Sequence, residues 1–426
     1  MTISTSAFTD AWKPARLKFA APLRNERMST SSDHADYLGL ENIESWTGRI
    51  IEAEAKSNDT TAEDSGLANV FKEGDVLFGK LRPYLAKACH APRDGVCSTE
   101  LLVMRPAESI HPRFLLYSLL TPDFVGAVDA STFGAKMPRA NWDFIGSLEI
   151  RLPPIEAQSI IANYLDRETA RIDGLIAEKE RMLALLEEKR TALISRVVTR
   201  GLNSNAPLKP SGHEWLGEIP AHWELWRLKH LTSEALSYGA NEAALEDNPE
   251  WPRFVRITDI SADGSLRDET FKSLSPEIAE PFLLDDGDLL FARSGATVGK
   301  SFIYRPSWGT ACFAGYLIRF RSDMCKVLPD FLNLYAQSSA YWHQVSTGTI
   351  QATIQNFSAE KYADIIVPLP PMKTQHEIVD AMAREQARFN GLASQISDSL
   401  ALMKERRAAL ITAAVTGQIP LEEMTE

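Results

Sequence analysis

The chain has 426 residues, 24% of them charged, and a formal net charge of −12. That length exceeds one hydrophobic core and implies two to four units, while the acidic balance excludes a protein that coats nucleic acid by net charge alone. No apolar run is long enough to span a bilayer, and the opening MTISTSAFTDAWKPARLKF lacks the signal-peptide pattern. Cys89, Cys97, Cys312 and Cys325 show neither CxxC spacing nor a secretory setting, which reads as reduced thiols in a cytoplasmic protein.

Residues 1–151 read as a first globular unit. Trp12 to Lys18 opens it, and short strand-like runs follow at Tyr37 to Ile43 and Val76 to Phe78. The segment FKEGDVLFGKLRPYLAKACHA, Phe71 to Ala91, reads as a strand and hairpin turning at Gly74 and Asp75, and Pro112 to Leu120 as a helix. A polar loop, FGAKMPRANW, then leads to a strand and to Leu152, Pro153, Pro154.

Residues 152–204 read as one long helix, because prolines are absent after the Pro-Pro pair and Ala, Leu, Glu, Lys and Arg dominate. The same element returns at 369–426. Shifted by 217 positions, Leu152 to Thr199 lies on Leu369 to Thr416 without a gap, with 21 identities in 48 residues. These include Gln158 on Gln375, Arg190 on Arg407, and Gly174 on Gly391, the glycines marking a kink or a close helix approach. Apolar residues recur near heptad spacing at Ile172, Leu175, Met182, Leu186 and Leu193, and at Phe389, Leu392, Ile396, Met403 and Leu410. Two such seams predict an antiparallel coiled coil, in which about 30 to 40 helical residues would give a rod of roughly 45 to 60 Å.

Between the helices, the linker GLNSNAPLKPSG precedes a second globular unit, 205–368, that repeats the plan of the first. WELWRLK at 223–229 echoes WKPARLK at 12–18, FVRITDI at 254–260 echoes YLGLENI at 37–43, and DDGDLLF echoes the GDVLF segment with Gly287 on Gly74. The fold class is therefore α+β: two homologous mixed α/β heads, two long antiparallel helices as a spacer, and a pseudo-two-fold internal repeat. By segment, the net charges of 1–150, 151–205, 206–368 and 369–426 are −4, +1, −7 and −2, so any DNA contact depends on local clusters or on a partner.

Catalytic and metal motifs are not evident. GATVGKS at 295–301 has three residues between its glycines where a phosphate loop needs four, so the turn reading is preferred. Asp285, Asp286 and Asp288 read as a solvated turn rather than a metal site, and the histidines form no HExxH. The Pro-Pro pairs follow Leu rather than the Asp or Asn of amino-methyltransferase sites.

The remaining candidates are basic and amide side chains, which can neutralise phosphates or bind guanine and adenine edges. In the first head they are Lys80, Arg82, Tyr84, Lys87, Lys136, Arg139 and Asn141. In the second they are Arg293, Ser294, Lys300, Gln351, Thr353, Gln355 and Asn356. Exposed Lys and Arg are more often only a soluble surface, but their repetition in both heads favours binding. The rival reading is a coiled-coil scaffold whose heads bind proteins or small ligands.

On GDVLFGKLRPYLAK, LPPIEAQ, LPPMKTQHEI, EWLGEIPAHWE and the helix ends KRTALISRVVTRGL and RRAALITAAVTGQI, in this order, the chain resembles the specificity subunits of type I restriction-modification systems. The resemblance implies a non-catalytic chain whose two target-recognition domains each bind half of a split double-stranded DNA site. It also implies partners: two methyltransferase subunits and restriction or translocase subunits. S-adenosylmethionine, ATP and magnesium would belong to those partners, and this chain itself would need no cofactor, metal or membrane.

Overall fold

A computed structural model of the chain describes residues 12–29, 37–51, 67–134, 136–261, 264–349 and 356–425. The chain folds as two units, Met1–Glu180 with Ser397–Glu426, and Arg181–Ile396. The long helices, Ile155–Arg200 and Met372–Val415, contribute to both.

Each head closes on itself through the strands at its two ends. Lys13–Arg16 pairs antiparallel with Glu149–Leu152, and Glu224–Arg227 pairs antiparallel with Ile366–Leu369. In each, a buried central strand lies between two antiparallel neighbours. Val76–Gly79 is flanked by Ala88–His90 and Leu101–Met104, and Leu289–Ala292 by Ser301–Ile303 and Leu317–Phe320. A parallel pair also recurs, Tyr37–Leu38 with Gly95–Cys97 and Arg253–Val255 with Ala311–Phe313. Sequence reading gave Tyr37 to Ile43 as one strand, but the strand stops at Leu38 and a 3-10 turn occupies Leu40–Asn42. There the Asn42 side chain accepts the Gly39 amide at 2.8 Å, a local bond that competes with sheet pairing.

The helices begin where proline permits. Each follows a Pro-Pro pair, and the second ends in a left-handed glycine, Gly417. The Gly417 amide donates to the Ala414 carbonyl and the Gln418 amide to Ala413, which satisfies carbonyls that a helix end leaves open. The glutamine repeated in both LPP motifs fixes each helix start to its head. Gln158 is fully buried, accepts the His111 amide at 2.8 Å and donates to the carbonyls of Ser109 and Pro153. Gln375 is fully buried, accepts the Leu328 amide at 2.8 Å and donates to Lys326 and Pro370. Every partner is displaced by the same 217 residues, so the repeat conserves a three-bond latch and not merely a helical composition.

The antiparallel direction is visible within each unit. In the first, Asp173 meets Arg407 and Glu180 meets Lys404. The Asp173 carboxylate and the Arg407 guanidinium are both buried, at 2.8 Å, and Arg407 also donates to the carbonyls of Trp46 and Thr47 in the first head. In the second unit the repeat-equivalent Arg190 donates to the side-chain oxygens of Gln386 and Gln337, both at 2.9 Å. An ionic clamp in one unit is thus an amide clamp in the other.

The apolar seam differs from its sequence reading. Ile172 and Phe389 are buried, and Leu186, Leu193, Ile396, Met403 and Leu410 are partly covered, but Leu175, Met182 and Leu392 are exposed. A regular helix drifts against a heptad repeat, so a strict 3.5-residue stripe rotates out of a short contact. Burial concentrates instead at helix ends, with Ile161, Leu165, Ile411 and Ala414 in the first head's core and Ile194, Val197, Ile378 and Met382 in the second's. Gly174 and Gly391 do not mark a close approach, since a Cβ built on either meets nothing within 4 Å.

Candidate nucleic-acid interface

The basic clusters of each head sit on two loops that backbone hydrogen bonds join. The central strand of the first head runs out at Gly79, loops through Lys80 to Lys87 with a 3-10 turn at Pro83–Leu85, and returns, closed by the Gly79 amide on the Lys87 carbonyl at 2.8 Å. In the second head the Ala292 amide meets the Lys300 carbonyl at 2.9 Å around a 3-10 turn at Gly295–Thr297. The second loop of each head docks onto this one. The Ala140 amide donates to Lys80 at 2.9 Å while Leu81 bridges Arg139, and the Phe357 amide donates to Arg293 at 2.8 Å while Ser294 bridges Asn356. A third bond completes the lock, from the Lys80 amide to Glu100 in one head and from the Arg293 amide to Tyr316 in the other, each 3.0 Å.

This lock aligns the heads residue by residue. Lys80 corresponds to Arg293, Arg82 to Gly295, Ala86 to Gly299, Lys87 to Lys300, Arg139 to Asn356 and Glu100 to Tyr316. Arg82 and Ala86 are two of the three described non-glycine residues with positive φ, at 50° and 46°, and their counterparts Gly295 and Gly299 hold 74° and 88°. The loop geometry demands left-handed backbone at both places, and the first head keeps a side chain there despite the strain.

Within that frame the candidates take different positions. Arg82, Tyr84 and Lys136 are exposed, and Lys80 is partly covered. Arg139 is oriented by Glu100, with its Nε 3.2 Å from both carboxylate oxygens and its Nη2 3.1 Å from one. Two residues have structural engagements: the Lys87 ammonium donates to the Leu40 carbonyl at 2.6 Å, and Asn141 caps the short helix Trp142–Ile145 by accepting the Asp143 amide at 3.1 Å. In the second head Arg293 is half-buried, its guanidinium 4.8 Å above the Tyr238 ring and hydrogen-bonded to the Gly315 carbonyl at 3.3 Å, whereas Lys300 and Asn356 are exposed. Gln351, Thr353 and Gln355 lie outside the described residues.

Sequence reading missed Glu100, Tyr238 and the 64% exposed Tyr316, because each joins its cluster from a turn or strand distant in sequence. It also took the acidic turn of the second head as solvated, and Asp288 corrects this. Asp288 is buried, accepts the Asp285 amide at 2.9 Å and two bonds from Arg321 at 2.7 and 2.8 Å. That hydrogen-bonded ion pair raises the Arg321 pKa. Asp75, after Gly74, has the equivalent role with Arg24 at 2.7 Å. GATVGKS forms a 3-10 turn that leads into a strand, as the turn reading expects. Among the described residues no group of three His, Cys, Asp or Glu is placed to hold a metal ion, and no helix is long and apolar enough to cross a membrane.

Two heads of one design, each joining a basic loop to a second, docked segment, thus repeat along the chain. The profile of the type I restriction modification DNA specificity domain matches residues 10–182 and 242–401, and the chain belongs to this family of non-catalytic DNA-specificity proteins. It is 22% identical over 340 residues to the type I restriction enzyme EcoBI specificity subunit of Escherichia coli, covering 78% of this chain and 70% of that protein. With the EcoKI specificity subunit of Escherichia coli strain K12 it shares 24% over 335 residues, covering 76% and 69%. A chain solved in work on complex assembly and conformational transition of the type I R-M system superimposes with a TM-score of 0.72 over 95% of this chain and 97% of that one, at 20% identity, which establishes a shared fold.

Proposed function

We propose that each head reads one half of a bipartite DNA site, the first with residues 80–87 and 136–141 and the second with residues 293–300 and the segment that docks on them through Asn356. The observation that carries this is the repeated backbone lock, in which one frame presents Arg82 and Arg139 in the first head and Gly295 and Asn356 in the second. A common frame with different side chains suits two readers of different sequences, since guanidinium groups favour guanine edges and carboxamides favour adenine edges. Strain retained at an exposed arginine supports the same reading, because stability alone favours glycine there.

The helices dock two methyltransferase subunits and set the number of unread bases between half-sites, and restriction or translocase subunits join that complex. S-adenosylmethionine, ATP and magnesium are held by those partners, in the cytoplasm. The acidic balance of this chain agrees with partners that supply most of the phosphate contact.

Co-expression with a type I methyltransferase subunit, followed by methylation-sensitive sequencing of host DNA, tests the proposal. A split motif carrying modified adenine supports it. A stable complex that modifies no split motif contradicts it, and capture of protein or small ligands by the heads with no DNA binding would favour the scaffold reading.

A further inference from the structure

The polar loop of the first head ends in an apolar tip that phosphate contact and base-edge readout leave unused. Phe133 is 64% exposed and Met137 is 42% exposed; Phe19 and Phe144 of the same head are exposed too, at 71% and 40%, but lie outside the paired loops, and Phe71, Phe78, Phe114 and Phe124 are buried. Backbone bonds close the base of this loop. The Phe133 and Arg139 amides donate to each other's carbonyls, both at 3.1 Å, and Arg139 also bridges Leu81, so Phe133, Arg139 and Leu81 stand side by side across three chain segments. The Arg82 amide adds a bond to Pro138 at 2.8 Å. Gly134 makes the bend with a φ of +94°, and a Cβ there would meet the Met137 carbonyl oxygen at 3.4 Å. Backbone bonds therefore tie the segment carrying Phe133 to the loop of the exposed Arg82, and the exposed Lys136 lies on the same segment as the ring.

We propose that Phe133 is a DNA wedge: its ring enters the base stack next to the half-site read by the first head, with Met137 flanking it and Lys136 facing the adjacent phosphate. The inference rests on the DNA-reading function above. Apolar side chains of this kind can part a base step and kink a duplex. Two side chains on a loop tip are too little for a stable protein interface, which buries on the order of 1,000 Å² or more.

The test uses the full chain assembled with methyltransferase subunits and duplexes carrying 2-aminopurine at successive steps across and beside the first half-site, but not at the methylated adenine. Phe133→Ala, Phe133→Trp and the unchanged chain are compared. The wedge predicts a fluorescence rise at one step for the unchanged chain and for Phe133→Trp. Phe133→Ala should lose this rise and bind about tenfold more weakly, the scale of one lost stacking contact, while the methylated motif stays the same. An undiminished rise in Phe133→Ala overturns the wedge. So does a Phe133→Ala chain that melts normally yet no longer co-purifies with the methyltransferase subunits, which would make the tip a protein contact. If the unchanged complex modifies no split motif, the DNA-reading function itself fails; an intact motif with a silent Phe133→Ala removes only the wedge.

Discussion

At the scale of single residues, the loop frame sets stability against function. A side chain in the left-handed region costs about 1 kcal/mol relative to glycine, and the exposed Arg82 has little burial to offset it. Arg82→Gly should therefore raise the unfolding free energy by roughly 0.5 to 1 kcal/mol while weakening DNA binding by the assembled complex. Denaturant unfolding and a binding titration check the two signs; a destabilised variant would contradict the strain argument. Ala86 shares the conformation but is fully buried, so lost methyl burial offsets the relief and Ala86→Gly should be nearly neutral. The cysteines supply a pH test. Burial pushes the thiols of Cys89, Cys97 and Cys312 up to about 12, and only Cys325 is exposed. A raised thiol pKa leaves little thiolate at pH 8, and thiolate is the reactive form. One thiol per native chain should react quickly with a disulfide reagent at pH 8, rising to four on unfolding. Rapid reaction of more than one native thiol would overturn the burial.

At the scale of elements, the long helices were legible because composition, proline punctuation and a gapless repeat all point the same way. Their seam was less legible, since heptad spacing overestimates burial at Leu175, Met182 and Leu392, which are exposed. The latches explain why Gln158 and Gln375 repeat. Each satisfies one part-buried amide, one part-buried carbonyl and one buried carbonyl, which truncation would leave without this partner. Gln158→Ala and Gln375→Ala should each cost about 2 to 4 kcal/mol, measured by denaturant unfolding. Losses below about 0.5 kcal/mol, the range of ordinary surface substitutions, would show that the latch is not structural. The loop lock was not legible. Its partners lie from 20 to about 60 residues apart, and the register between heads shifts from 213 positions at Lys80 to 217 at Arg139, so no single offset reveals it.

At the scale of the whole molecule, the two-headed plan could be read from the sequence, but the pairing of basic and polar loops into one interface per head needed the fold. Arg82, Lys136 and Lys300 are exposed on these loops in a chain of net charge −12. Few phosphate contacts mean weak binding, so the chain without partners should bind duplex DNA only at low salt and lose it by about 0.2 M, whereas the assembled complex remains bound. Tight binding by the isolated chain at that salt would contradict the division of labour.

The most direct test of two independent readers is to change one head's loops and sequence the methylome. With methyltransferase subunits co-expressed, replacing residues 80–87 and 136–141 by unrelated loops of equal length should alter or erase one half of the modified motif and leave the other half unchanged. Loss of both halves from a complex that still assembles, or an unaltered motif, would contradict the assignment of one half-site to each head.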